Sequence, residues 1–233
     1  MPFYYYGFDP TYFLVLIGLV LSLMASARVK STYAKYSREA SLSGMTGAQA
    51  AHRILTMSGI YDVTIRQVSG NLTDHYDPRN KTLNLSDAVY GNFSVAAIGV
   101  AAHEAGHAIQ HDRGYAPLKL RSMIAPVASF GANISWPLIL IGLLFGGSGT
   151  LIKLGIIMFS LAVVFQLITL PVEYNASKRA INLLEETGIL YADELPKTKK
   201  VLNASALTYV AAAASSVLQL LRLVLLFGNR RRD

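Results

Sequence analysis

The sequence predicts a mainly α-helical integral membrane protein, with three to four membrane helices and a small α+β domain at the membrane surface. Of its 233 residues, 52% are hydrophobic and only 15% are charged, whereas charged residues make up about 25% of a typical soluble domain. The hydrophobic residues are concentrated in a few long runs, which is typical of membrane spans. A more polar region between the first two runs, with helical and strand-like patterns, predicts the α+β domain.

Four apolar runs are long enough, or nearly so, for a membrane helix, which needs about 17–25 residues. They cover residues 12–27, 123–145, 151–170 and 206–227. We expect Pro126 and Pro137 to kink the second helix and Pro171 to end the third. The fourth run contains Arg222, so two alternatives stay open: the run crosses the bilayer, or it lies at the surface with its arginine directed away from lipid.

Two helices are predicted in the polar region. Thr46 is placed to cap the first helix, and Gly59 is placed to end it. Ser94 is placed to cap the second helix, which runs to about Asp112.

Two strands are predicted between these helices. Residues 61–70 alternate between apolar and polar side chains, as in a half-buried strand. Turn residues at Asp77 and Pro78 then precede a short strand over residues 82–85. We expect this second strand to lie at an edge of the sheet, where a substrate could add to it in extended form.

The stretch AAHEAGHAIQH, residues 101–111, predicts a catalytic zinc site. Residues four apart lie on the same face of a helix, so His103 and His107 can direct their imidazoles toward one metal ion. Glu104 follows the first histidine and can take a proton from a zinc-bound water, then pass it to the leaving amine. The alternative is a buried helix whose histidines are satisfied by ordinary hydrogen bonds.

A catalytic zinc ion needs a third protein ligand, and Glu173 is the best candidate for it. Two predicted spans separate His107 from Glu173, so the chain returns to the same side of the membrane before it reaches the glutamate. His111 lies about 12 Å along the helix from His103, which is too far for both to bind one ion. The alternative role for Glu173 is that of a carboxylate stabilised at the start of a helix. Ser177, one turn later, could support the metal ligands.

The absence of cysteine excludes disulfides and thiolate metal sites. The net charge of +7 does not indicate a nucleic-acid partner, because the basic residues flank apolar runs, where they orient membrane helices.

Four basic residues follow the first run directly: Arg28, Lys30, Lys35 and Arg38. They predict a bacterial inner-membrane protein with its active site on the cytoplasmic side. The arginines at 230–232 oppose this orientation if the fourth run crosses, so an external active site is the alternative.

Four stretches together resemble the YugP-type bacterial membrane-bound neutral zinc metallopeptidases. They read LTDHYDPRNKTLNLSDAVY, VAAHEAGHAIQH, TLPVEYNASKRA and ALTYVAAA, from Leu72 onward. The pairing of HEAGH with EYNA is also similar to that of the HtpX-type and CAAX-type membrane proteases. The resemblance implies one Zn²⁺ ion held by His103, His107 and Glu173, with Glu104 as general base. HtpX-type proteases typically place an aspartate where this chain has Ser177, so the surroundings of the metal ligands are expected to differ.

The prediction is therefore a membrane-bound zinc endopeptidase, a hydrolase with a zincin-like catalytic domain that acts on membrane or membrane-proximal proteins. The alternative is a non-proteolytic membrane scaffold with a structural metal site. The expected partners are a protein or peptide substrate and the lipid bilayer, and a homo-oligomer or a membrane-protein partner is left open. We expect five segments: an N-terminal anchor (1–28), the zincin-like domain (29–121), a transmembrane hairpin (122–172), the helix with the third ligand (173–203), and a C-terminal apolar helix with a basic tail (204–233).

Overall fold

A computed structural model describes residues 9–145 and 147–228, and the arginines at 230–232 lie outside this part of the chain. The described residues form six helices and one three-stranded sheet: α1 (Tyr12–Tyr36), α2 (Gly47–Met57), β1 (Thr64–Val68), β2 (His75–Asp77), β3 (Thr82–Ser86), α3 (Val95–Asp112), α4 (Ala116–Leu144), α5 (Gly149–Glu186) and α6 (Leu195–Phe227). Helices α1, α4, α5 and α6 are each long and apolar enough to cross a membrane. The predicted fold class, membrane helices with a small α+β domain, is confirmed.

The chain divides into two compact units. The first unit comprises the chain up to Met24, Met123–Leu167, and the chain from Val210 onward. In this unit, Ser215 donates a hydrogen bond to the carbonyl oxygen of Gly18 at 2.8 Å. A β-carbon added to Gly18 would lie only 3.1 Å from the Ser215 hydroxyl, so the small residue permits this close packing between α1 and α6.

Arg222 in α6 is neutralised within the first unit. Its guanidinium lies 3.4 Å from the Asp9 carboxylate and donates to the Thr11 hydroxyl at 3.2 Å. It also lies 4.3 Å from the centre of the Tyr12 ring. These contacts compensate the cost of a charge in an apolar helix. The contacts of Arg222 place the start of α1 and the end of α6 at the same end of the first unit. The two helices therefore run in opposite directions side by side, which is expected if both cross the membrane.

Helix α5 continues without interruption through Pro171, so the prediction that Pro171 ends the third helix is wrong. A proline inside a helix removes one backbone hydrogen bond and crowds the preceding turn. A helix break in an apolar environment would leave several backbone groups without partners, which costs more. As a result, Glu173 lies within the helix and does not open a new one. Helix α4 likewise contains both Pro126 and Pro137.

The second unit, Ala25–Ser122 with Ile168–Tyr209, contains the sheet, whose strand order is β1-β3-β2. Strand β3 pairs in parallel with β1 and antiparallel with β2. The prediction of a substrate-binding edge at residues 82–85 is therefore wrong, because β3 is central and every residue of it is buried. Strand β2 was not predicted, because its three residues overlap the turn signal at Asp77 and Pro78.

Helices α2 and α3 pack in the core of the second unit. Both predicted caps are confirmed: the Thr46 side chain accepts from the backbone of Gln49 in a capping box, and Ser94 accepts from Ala97. The core combines the sheet with the inner faces of α2, α3 and the last turns of α5 and includes Ile54, Leu83, Leu85, Ile98, Ala102 and Leu184. Helix α3 is buried over nearly its whole length, which gives its polar residues a rigid, water-poor environment.

Candidate metal centre

His103, Glu104 and His107 lie at the buried centre of α3, and each is only 8% exposed. The residues around them on the helix are small, Ala101, Ala102, Ala105, Gly106 and Ala108, so neighbouring elements can approach the helix closely. A polar side chain at such a position needs a partner, because an unpaired buried polar group is costly. The partners of the two histidines lie mainly on α5.

Glu173 on α5 brings a carboxylate to both histidines. Its Oε2 atom lies 3.2 Å from Nε2 of His103 and 3.5 Å from Nε2 of His107. One donor atom from each of the three residues lies within 4.8 Å of the other two, an arrangement that could hold a metal ion. Glu173 is only 2% exposed. The structure therefore brings together the three residues that were predicted as metal ligands.

Gln110 orients His107. Its amide nitrogen donates to the backbone carbonyl oxygen of Val172 at 2.8 Å and to the side-chain amide oxygen of Asn175 at 3.0 Å. Its amide oxygen is therefore the atom that accepts from Nδ1 of His107, at 3.0 Å. With the proton on Nδ1, the lone pair of Nε2 is free to bind a metal ion. Asn175 is held in turn by Arg179, whose Nε donates to the same amide oxygen at 2.8 Å.

Ser177 supports His103. Its hydroxyl lies 3.1 Å from Nδ1 of His103, which leaves Nε2 directed at Glu173. A hydroxyl is a weaker partner for an imidazole than a carboxylate would be, because the hydrogen bond is not charge-assisted. Both histidines thus have neutral partners at Nδ1.

Arg121 near the start of α4 pairs with the other oxygen of Glu173. Its guanidinium donates to Oε1 at 3.0 Å, while Oε2 faces the histidines. The two oxygens of one carboxylate therefore have separate roles, and the arginine orients the group. The sequence analysis did not identify Arg121 or Gln110. Gln110 could have been found, because it lies three residues after His107 on the same face of α3.

The protonation of His107 depends on two opposing effects. Burial alone would lower its pKa, but the hydrogen bond with Glu173 and the negative charges of Glu104 and Glu173 raise the pKa above its ordinary value. A metal ion binds only the deprotonated imidazole nitrogen. A proton therefore competes with the metal up to a higher pH than it would at an isolated histidine.

Glu104 lies outside the group of converging donors and lines a neighbouring pocket of about 250 Å³. The pocket is bounded by His103 and by residues of α1, α3, α6 and the loop before β2, namely Val29, Tyr33, Leu72, Asp74, Val100, Val201, Leu202, Ser205, Thr208 and Tyr209. Burial raises the pKa of the Asp74 carboxyl, although hydrogen bonds from Ser86 oppose this shift. Glu104 thus lines, together with His103, a pocket that could admit a bound molecule.

Gly106 allows α5 to approach α3 closely. A β-carbon at this position would lie 2.8 Å from the carbonyl oxygen of Ala176 and 3.4 Å from its carbonyl carbon. These are backbone atoms, so they cannot move without moving α5.

Gly106→Ala should therefore destabilise the protein, because the overpacking cost of about 1–3 kcal/mol exceeds the helix-propensity gain of about 0.5–1 kcal/mol. Thermal unfolding and zinc titration would show a lower Tm and weaker zinc binding. Gly91→Ala is the matched control, because no atom lies within 4 Å of its added β-carbon. An unchanged or higher Tm for Gly106→Ala would show that α5 does not require this approach.

Gln110→Leu should weaken zinc binding by about 10–100-fold, the usual effect of removing a group that orients a ligating histidine. The leucine fills a similar volume but leaves Nδ1 of His107 and the Val172 carbonyl without their partner. Zinc affinity measured by competition with a chelating dye would test this. Gln67→Leu is the control. It makes the same substitution and removes a side-chain hydrogen bond to Asp87, and it should leave the affinity for zinc unchanged. Equal affinity in the two variants would exclude an orienting role for Gln110.

The remaining histidines lie outside the group of converging donors. His111 bonds through Nδ1 to the Tyr76 hydroxyl at 2.9 Å and so ties the end of α3 to β2. His75 on β2 contacts the Asn84 side chain, and His52 is exposed on α2.

Comparison with known proteins agrees with this geometry. Residues 11–228 match the family model described as putative neutral zinc metallopeptidase. The chain is 50% identical over 221 residues to the "Putative membrane protease YugP" of Bacillus subtilis (strain 168), a match that covers 95% of this chain and 98% of the relative. No solved structure matches the chain. Since the family model spans the membrane helices and the candidate metal centre alike, this chain belongs to the putative neutral zinc metallopeptidase family.

Proposed function

We propose that the protein is a membrane-bound zinc endopeptidase in which His103, His107 and Glu173 hold one zinc ion. The observation that carries the proposal is the convergence of three buried donor atoms beside a pocket that Glu104 lines. Two imidazoles and a carboxylate, without sulfur, suit zinc, and three protein ligands leave a coordination position open for catalysis. The family assignment supports the same metal and the same class of reaction.

The chemistry divides between the metal and Glu104. When bound, zinc would polarise the carbonyl of a peptide bond and make water more acidic. Glu104 would accept a proton from the water whose oxygen bonds to the peptide carbonyl carbon, and it would pass that proton to the amine nitrogen as the C–N bond breaks. Gln110 and Ser177 keep Nε2 of each histidine available, and Arg121 holds Glu173 in place.

The substrate is proposed to be a membrane or membrane-proximal protein with an apolar side chain next to the cleaved bond. The pocket beside Glu104 has aliphatic walls from Val29, Val100 and Val201. Two of its walls belong to α1 and α6, which are long enough to cross a membrane.

Cleavage of a peptide library, read by mass spectrometry, should show enrichment of aliphatic or aromatic residues beside the cleaved bond. Enrichment of acidic residues there would contradict this assignment.

The function is tested by metal exchange on the purified protein in detergent micelles, with casein and a membrane protein as substrates. Chelation should abolish cleavage, and addition of about one equivalent of zinc should restore it. Circular dichroism before and after chelation separates loss of catalysis from loss of folding. If the protein binds zinc and remains folded but cleaves neither substrate at any zinc level, the endopeptidase assignment fails.

The alternative function is a membrane scaffold in which the same three ligands bind a structural metal. The ion pair between the half-buried Arg121 and the buried Glu173 would suit either role. Glu104 distinguishes them, because a structural site does not need a carboxylate that lies outside the ligand group.

The active site is proposed to face the cytoplasm. Most of the chain's 21 lysines and arginines belong to the unit that contains the metal centre, and basic residues concentrate on the cytoplasmic side of membrane proteins.

A Tyr61→Cys variant tests this orientation. The chain has no cysteine of its own, so the new thiol is the only one, and Tyr61 is 79% exposed, so a reagent can reach it. A membrane-impermeant maleimide should label this cysteine only after the cells are lysed. Labelling in intact spheroplasts would place the centre outside.

A further inference from the structure

A groove of about 400 Å³ lies within the second unit, between the last turns of α1 and the first half of α6. Three cations line it: Arg28 and Lys35 from α1, and Lys200 from α6. Thr32 and Asn203 add hydroxyl and amide donors, and the remaining walls include Ser31, Tyr36, Ala204 and Leu207. The groove shares no lining residue with the pocket beside Glu104.

Among the residues that the structure describes, no salt bridge neutralises the three cations of the groove. Lys197, one turn before Lys200, is by contrast neutralised by Glu39 at 2.9 Å. Lys35 lies over the ring of Tyr36, 5.2 Å from its centre, which does not neutralise its charge. Three like charges around one groove repel each other, and an anion placed among them would relieve this repulsion.

The groove lies where both helices change from polar to apolar sequence. Arg28 follows the apolar run 12–27 on α1, and Lys200 precedes the apolar part of α6, residues 206–227. Such a change marks the surface of a bilayer, where phospholipid phosphates are located. Arg28 and Lys35 are seven residues apart on one helix, which places them about 10 Å apart along its axis on a similar face.

We propose that this groove binds the headgroup of an anionic phospholipid, with its phosphate held between Arg28, Lys35 and Lys200. Thr32 and Asn203 supply hydrogen-bond donors to the phosphate oxygens. This site is independent of the zinc centre, and its binding can be measured without any peptidase activity.

The experiment compares two triple variants that remove the same number of charges. Arg28→Gln/Lys35→Gln/Lys200→Gln removes the cations of the groove. Lys30→Gln/Arg38→Gln/Lys199→Gln is the matched control, because these three residues are exposed close by in the sequence but do not line the groove. Binding of phosphatidylglycerol to the full-length protein in detergent micelles is measured by native mass spectrometry. Phosphatidylcholine, glycerol phosphate and inorganic phosphate are the competing ligands.

The wild type should bind phosphatidylglycerol at least about tenfold more tightly than phosphatidylcholine, and the groove variant should lose this preference. The control variant should keep it. If both variants lose the preference for phosphatidylglycerol to the same extent, the preference comes from a general attraction of basic residues for anionic lipid. That result would overturn the proposal. Inorganic phosphate that binds as tightly as the lipid would assign the groove to a free anion instead. If the groove variant does not fold, as judged by its Tm, the single variants Lys35→Gln and Lys200→Gln give the same comparison against Lys30→Gln and Lys199→Gln.

Discussion

Replacement of Glu104 by glutamine should leave about one zinc ion bound and lower the rate of peptide cleavage by about 10²–10⁴-fold, the usual contribution of a positioned general base. The amide has nearly the same shape as the carboxylate, but it cannot accept a proton from water. We expect zinc to be retained because Glu104 lies outside the three converging donors. Zinc content by atomic absorption and cleavage of the same substrate, measured on the same preparation, would show the two results together.

Asp112→Asn is the control for this change. It makes the same chemical substitution on the same helix, at an exposed position beyond the ligand residues, and it should affect neither zinc nor cleavage. If Glu104→Gln cleaves at the wild-type rate, Glu104 is not the base. If Glu104→Gln loses zinc, the carboxylate belongs to the ligand set, and the division of roles between Glu104 and Glu173 is wrong.

Glu173→Gln should weaken zinc binding by more than about 100-fold, because loss of a group that only orients a ligand already costs about 10–100-fold. The substitution removes the negative charge that faces both histidines and also pairs with Arg121. Arg121 is then left beside residue 173 without its counter-charge, which further disfavours a bound cation. Isothermal titration of the metal-free protein with zinc would measure the loss of affinity directly.

Glu185→Gln provides the comparison on the same helix, because Glu185 is exposed near the end of α5. It should bind zinc as the wild type does. Wild-type affinity in Glu173→Gln would mean that the third ligand lies elsewhere in the chain. A measurement of Tm on both variants would separate weak metal binding from a general loss of structure.

The parts of this molecule that depend on local sequence could be predicted well. The caps at Thr46 and Ser94 and the long apolar helices follow from signals within a few residues. The spacing of His103 and His107 places both imidazoles on one face of α3 for the same reason. The possible role of Ser177 was also visible from its position one turn after Glu173, and its hydroxyl contacts His103.

The parts that depend on distant contacts could not be predicted in the same way. Arg121 contacts Glu173 across 52 positions of sequence, and no local pattern marks it. The central position of β3 depends on pairing with two other strands, and strand β2 is too short to show an alternation of its own. Pro171 was misleading because a local breaking signal was outweighed by the rest of a 38-residue helix.

The long separation between the converging donors also has a consequence during translation. His103 and His107 leave the ribosome well before Glu173, which is 66 residues further along than His107, and the whole of α4 lies between them. A nascent chain therefore holds two of the three donors while the membrane segments that precede the third are still being synthesised. The three donors can come together only after these hydrophobic segments have been made, so a partly synthesised copy has no complete set of donors.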